Sequence, residues 1–197
     1  MERKDHFVTG EYYHIYNRGT NKKSIFIDDR DVFRFLFSMH AMNQEKNVGS
    51  ISKIIDKDIK IDLDERLVSI VCFNLIQNHF HFTLKQEKKG GIVKFMHKLG
   101  TGYTNYFNIK RKKSGHLFQG RFKSKHISNN YQLLHTSVYI NLNHKKHGCE
   151  SLATSWEEFT TAESSNQWFE CEKDIILDQF GSKEEYKKYA EGVQLRS

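Results

Sequence analysis

The sequence predicts an α+β fold in which an antiparallel sheet packs on helices. Three observations point there. Strand-like and helix-like stretches interleave along the chain. Two of the strand-like runs are joined only by Gln77-Asn78, which makes them an antiparallel hairpin. No apolar run approaches the ~20 residues needed to cross a bilayer, because the longest is interrupted by Asn74, Gln77 and Asn78. The 197 residues are 38% hydrophobic and include 15 Phe and 9 Tyr, enough to fill the core of one domain.

Taken in order, Tyr12 to Gly19 reads as a first strand ended by a glycine turn, and 20–27 as a loop. Asp28-Asp29-Arg30-Asp31 supplies a cap and first-turn acids for a helix over 29–46, with Val32, Phe33, Leu36, Phe37 and Met39 on its apolar positions. Residues 47–65 are charged and weakly apolar, a loop or irregular hairpin. Strands over 66–76 and 79–85 follow. Gly90-Gly91 breaks the chain before a helix over 92–108, where Val93, Met96, Leu99, Tyr103 and Tyr106 keep helical spacing. Lys110 to Gly115 is a cationic turn, and Leu117 to Ile127 alternates as a strand. Ser128-Asn129-Asn130 caps a helix over 130–144, which Gly148 ends. Beyond it lie one or two acidic amphipathic helices. The order β-α-β-β-α-β-α fits a ferredoxin-like or RRM-like layer over residues 1–148, with a C-terminal helical appendage over 149–197.

Charge divides the chain sharply. Residues 1–84 carry 12 basic and 12 acidic side chains, whereas 85–147 carry 14 Lys or Arg against the single acid Glu87, a net of +13. Residues 148–197 carry 5 basic and 11 acidic groups, a net of −6. A block so cationic is matched either by solvent or by phosphates, and nucleic acid is the commonest partner for it. Cys72, Cys149 and Cys171 lack metal-ligand spacing and read as free thiols of a reducing compartment. The charged start, Met1 to Asp5, has no apolar signal core, so the expected location is the cytoplasm.

His79-Phe80-His81 opens the second hairpin strand. Residues two apart on a strand share a face about 6.8 Å from each other, so one ion can take both imidazoles. Spacing alone leaves a metal pair and two structural histidines equally open. With oxygen or amide donors from another element and no thiolate nearby, such a site suits Mg²⁺ or Mn²⁺ better than a closed zinc tetrahedron. Tyr139 shares its helix face with His135 and Asn143, about 6 Å away in either direction. On spacing alone, core filling is the simpler role for that phenol. Phosphoryl chemistry becomes the alternative if a metal or base stands beside it.

Several segments, in this order, resemble one family. They are Gln77-Asn78-His79-Phe80-His81-Phe82, then Tyr103-x-x-Tyr106-Phe107-Asn108, then Gly115-His116-Leu117-Phe118-Gln119-Gly120-Arg121-Phe122-Lys123-Ser124, and finally Tyr139-Ile140-x-x-Asn143. The first resembles the HUH signature of single-strand tyrosine transposases, and the set as a whole resembles their REP-associated branch over residues 8–148. The resemblance implies a ferredoxin-like domain that cuts and rejoins single-stranded DNA through a 5′-phosphotyrosine. It implies His79 and His81 as ligands of a divalent ion, Mg²⁺ or Mn²⁺, Tyr139 as the nucleophile and Asn143 as third ligand. The family's Asn-Pro is Asn143-His144 here, which leaves His144 and His135 as rival ligands. Single-stranded or hairpin DNA is the implied partner, with a homodimer as one state open to the chain. Lys110, Arg111, Lys112, Lys113, Arg121, Lys123 and Lys125 would hold its backbone, with interleaved aromatics stacking on unpaired bases.

Two other classes compete. His81-Phe82-Thr83 and His126-Ile127-Ser128 form two His-x-Thr/Ser pairs, the pattern of two-histidine phosphoesterases, which need neither metal nor tyrosine. A non-catalytic nucleic-acid binder would use the basic block alone.

Overall fold

The structure, a computed structural model, describes residues 6–56, 65–146, 150–161 and 168–194. Five strands, β1 (Tyr12–Arg18), β2 (Val68–Ile76), β3 (His79–Gln86), β4 (Lys123–Ile127) and β5 (Ser151–Thr154), make one antiparallel sheet in the order β4-β1-β3-β2-β5. The expected α+β architecture is the observed one. β2 and β3 are buried along almost their whole length because helices lie on both faces of the sheet.

Alternation sorts the side chains between those faces. Tyr13 and Ile15 of β1, with Phe80, Phe82 and Leu84 of β3, enter the main core. There α1 (Asp29–Ala41) and α3 (Gly91–Arg111) cover them with Phe35, Met39, Phe95 and Leu99. Asp28 caps α1 by accepting from the Asp31 amide. Gly90 has φ +72°, and a Cβ on Gly91 would sit 2.2 Å from the Leu67 carbonyl oxygen, so the start of α3 tolerates no side chain at either position.

The second face carries His14 and Tyr16 of β1, Asn74 of β2 and His79, His81 and Thr83 of β3, with Tyr16 paired to His81 and His81 to Asn74. Over it lies α4 (Asn130–Asn141), whose Leu133, Val138 and Ile140 share a second core with Cys72 and Ile127. A third layer backs α4. It contains α6 (Trp156–Thr160), α7 (Asp174–Leu177) and α8 (Lys183–Gln194), the last contributing Tyr186 and Ala190. The remaining helices are the short α2 (Ile51–Asp56) and α5 (Asn143–Lys146).

Several boundaries differ from those expected. α1 stops at Ala41 rather than 46, and α2 occupies part of the stretch read as a loop or hairpin, whose residues 57–64 lie outside the described residues. Only Lys123–Ile127 of the alternating run pairs as a strand. Leu117 to Phe122 instead makes a single bridge, between Phe118 and Gly19. The helix expected over 130–144 breaks at Leu142, where φ −110° and ψ 12° leave the helical region, and restarts at Asn143. Gly148 and Cys149 lie outside the described residues. The C-terminal part is helical as expected, but it also adds β5 to the sheet edge.

Candidate active site

β3 begins at His79 and alternates, so both histidines face α4 with ring centroids 5.1 Å apart. They are buried, 8% and 7% exposed, in a place where an imidazole needs defined partners. Asn78 Oδ1 lies 2.6 Å from His79 Nδ1, so Nδ1–H donates to it and the lone pair falls on Nε2. On the neighbouring strand, His14 Nε2 lies 2.8 Å from His81 Nδ1, and the rings stack at 5.1 Å. Burial, reinforced by the Lys125 charge, pushes His14 down to about 4, so its ring is neutral at pH 7. One nitrogen of that pair must therefore donate to the other. With His81 Nδ1–H as donor, the His81 lone pair also sits on Nε2.

α4 brings the remaining groups. Its position over the sheet is set by a buried polar network. Asn74 Nδ2 donates to the Ile140 carbonyl at 2.8 Å, Ser155 Oγ donates to Asn141 Oδ1 at 2.6 Å, and Asn141 Nδ2 donates to Tyr186 Oη at 3.2 Å. Tyr139, on the free side of the helix, is 38% exposed, and its ring stands edge-on to His81 at 5.6 Å and to His14 at 5.8 Å. The phenol is therefore in a cleft and not in core. Asn143 is 1% exposed and holds Oδ1 3.4 Å from His79 Nε2, while its Nδ2 has no partner among the described residues. A carbonyl oxygen and an imine-type nitrogen facing each other at that distance repel unless a proton or cation lies between them. His79, His81 and Asn143 are the residues that would hold a divalent ion, although among the described residues no group of three His, Cys, Asp or Glu is placed to do so. His14, His81, Lys125, His135, Tyr139 and Asn143 all line one cavity of about 550 Å³.

His14 is the residue that motif reading missed. Alternation sets His14 and Tyr16 apart from Tyr13 and Ile15 on β1, but only the pairing of β1 with β3 puts them on the histidine face. His135 lines the cavity but packs on Tyr131 at 4.2 Å, and His144 is half-buried beyond the helix break.

The basic residues separate into groups. Lys125 faces the cavity. Lys112, Lys113, Arg121 and Lys123 are exposed. Lys110 and Arg111 instead pair with Asp28 and Asp31, with Lys110 Nζ at 2.7 Å from both carboxylates and Arg111 at 2.9 and 2.6 Å. That pairing, Lys110 first, holds the Asp28 carboxyl well below the usual carboxylate range. Tyr103 donates to the Ile25 carbonyl in the core, and Tyr106 donates to Asp31, so neither presents a ring for stacking on bases. His126 pairs in register with Tyr13, on the sheet face opposite His81, and its Nε2 lies 3.1 Å from Glu11. The two His-x-Thr/Ser motifs therefore do not converge.

No protein-family profile matches the sequence, and no curated protein does. Among solved structures, the chain is similar to a REP-associated tyrosine transposase bound to a REP hairpin, at 17% identity and TM-score 0.50, over 75% of this chain and 74% of that one. It is also similar to tRNA(His) guanylyltransferase from Saccharomyces cerevisiae, at 10% identity and TM-score 0.43, over 96% of this chain and 74% of that one, a score too low to argue from. What the chain shares with the transposase is the fold.

Proposed function

We propose that this protein cleaves and rejoins single-stranded DNA through Tyr139, with hairpin DNA as its substrate class. The observation that carries the reading is that an accessible phenol, the buried His81 imidazole and Asn143 line a single cavity with Lys125 at its wall, while Asn143 also touches the buried His79. The structural neighbour that shares the fold was solved with a hairpin, which agrees with that substrate class.

His79, His81 and Asn143 would hold the ion, Mg²⁺ or Mn²⁺, which when bound supplies charge that polarises a phosphoryl oxygen. Lys125 places a second positive charge against the phosphate. His14 would hold the His81 ring in place through its 2.8 Å contact, accepting from His81 Nδ1–H. The Tyr139 oxygen attacks phosphorus, the bond from phosphorus to the 3′-oxygen breaks, and the 5′-phosphate stays on the tyrosine. The phenol proton leaves to water in the open cleft, and the departing 3′-oxygen takes up a proton. Attack by a 3′-hydroxyl on the phosphotyrosine reverses these steps and rejoins a strand.

The test uses labelled hairpin DNA with Mn²⁺, resolved on a denaturing gel. Wild type leaves a covalent protein–DNA band and the Tyr139→Phe protein leaves none while binding with unchanged affinity. An equal band from Tyr139→Phe removes the phenol from the mechanism, and binding without any band from wild type leaves a non-catalytic binder. His79→Ala and His81→Ala should lower cleavage at least about a hundredfold and leave most DNA binding. Cleavage at the wild-type rate by either protein overturns the metal assignment.

A further inference from the structure

On the sheet face opposite Tyr139 there is an open groove of about 830 Å³ that the reaction above does not use. Its floor is Phe80, the residue between the two histidines, which points away from them into the α1–α3 side of the sheet. One wall is α3, and the other is the segment from His116 to Phe122. That segment is held rigidly, with Asn17 Nδ2 donating to the Gly120 carbonyl at 3.1 Å, Thr20 Oγ1 to the His116 carbonyl at 3.2 Å and the Gln119 amide to the Arg18 carbonyl at 2.9 Å.

Gly100 gives the groove its meaning. Glycine inside a helix costs about 1 kcal/mol relative to alanine, and a packed helix keeps one where another chain comes close. Gly102 is such a case, because a Cβ there would meet the Met42 methyl at 2.4 Å. Gly100 is not, since a Cβ would have nothing within 4 Å, and the position opens directly into the groove. Beneath it Phe80 is buried at the floor, and the half-buried Phe118 stands edge-on to it at 5.9 Å. Charge sets the occupant. The groove opens toward Arg121, and beside it runs β4, the outer strand of the sheet, with Lys123 and Lys125 exposed. An apolar groove with the Phe118 ring on its wall, beside a cationic strand edge, fits an unpaired base on a phosphate backbone.

We propose that this groove is a base-binding subsite for single-stranded DNA. The strand passes around the β4 edge, with an unpaired base seated over Gly100 on one face and the scissile phosphate at Tyr139 on the other. The inference deepens the DNA-cleaving function and rests on it.

The experiment measures binding of a fluorescein-labelled pool of short single-stranded DNAs of randomised sequence to the full chain, beside hairpin cleavage. Gly100→Phe fills the groove and should weaken binding about tenfold, the scale of one lost stacking contact. Gly100→Ala places a methyl in the groove and should weaken binding in the same direction but less than Gly100→Phe, while melting at a higher temperature. Phe118→Leu, which keeps the wall apolar but removes a ring, should weaken binding in the same direction and serves if Gly100→Phe does not fold. Wild-type affinity in folded Gly100→Phe, or in Phe118→Leu, overturns the subsite and leaves Tyr139-dependent cleavage standing. Loss of the covalent band in Tyr139→Phe with the Gly100→Phe effect absent separates the two failures.

Discussion

At the scale of single residues, the site turns on how the tautomers of two imidazoles are fixed. Each histidine has a specific partner at Nδ1, Asn78 Oδ1 for His79 and His14 for His81, and with His81 Nδ1–H as donor both lone pairs fall on Nε2. Partners of this kind typically raise ligand affinity ten- to a hundredfold. His14→Ala should therefore weaken Mn²⁺ binding by about that factor in titration calorimetry of the DNA-free protein. His14→Gln, whose side-chain amide can still meet His81 Nδ1, should recover part of it. Unchanged Mn²⁺ affinity in His14→Ala would mean that His14 only packs beside the site. The shared face of His79 and His81 was legible from their spacing, whereas spacing favoured a core role for Tyr139 and only the family resemblance singled it out. His14 was not legible, because its contact with His81 spans 67 positions and depends on strand pairing that no local pattern records.

At the scale of elements, strong periodicity was readable and breaks in it were not. The hairpin β2–β3 and the helix α3 stand out because alternation and helical spacing persist over many residues. The stop of α4 at Leu142 has no glycine or proline to announce it, and β5 is four residues long, too short for alternation to register. Yet the break matters, since Asn143 enters the site from the start of α5 and not from one continuous helix. What holds α4 in place is tertiary, the buried chain from Asn74 through Asn141 and Ser155 to Tyr186 on α8. Ser137 Oγ also lies 3.1 Å from the Tyr186 oxygen. Tyr186→Phe removes that hydroxyl and leaves the buried Asn141 Nδ2 without its acceptor, whereas Ser137 still donates to the Leu134 carbonyl. The lost acceptor should cost about 1–3 kcal/mol in urea unfolding. It should also lower Tyr139-dependent cleavage, because α4 carries the phenol. A Tyr186→Phe protein as stable as wild type would show that apolar packing alone seats α4.

At the scale of the whole molecule, the +13 of the central block does not act as one patch. Lys110 and Arg111 are neutralised by Asp28 and Asp31 at the end of α3, on the α1 side of the sheet. The charge count made these two residues equal to their neighbours, and only the fold distinguishes them, because their carboxylate partners lie some eighty positions earlier in the chain. Exposed cations remain in two places, Lys112 and Lys113 beyond α3 and Lys123 and Lys125 on the outer strand, the last turned toward Tyr139, and together they define a candidate path for DNA. A single strand held along that path releases counterions in proportion to the phosphates neutralised, with a salt slope of about 0.7 per contact. Replacing Lys112 and Lys113 by alanine should flatten the log–log dependence of binding on salt by about 1.4, and replacing Lys123 and Lys125 should do the same. If one strand follows that path past both pairs, the four-alanine protein should lose about 2.8. These slopes are measured by fluorescence anisotropy across a salt series, and thermal melting checks that each protein is folded. If Lys112 and Lys113 leave the slope untouched while Lys123 and Lys125 flatten it, the DNA passes only the β4 edge and does not extend to the end of α3.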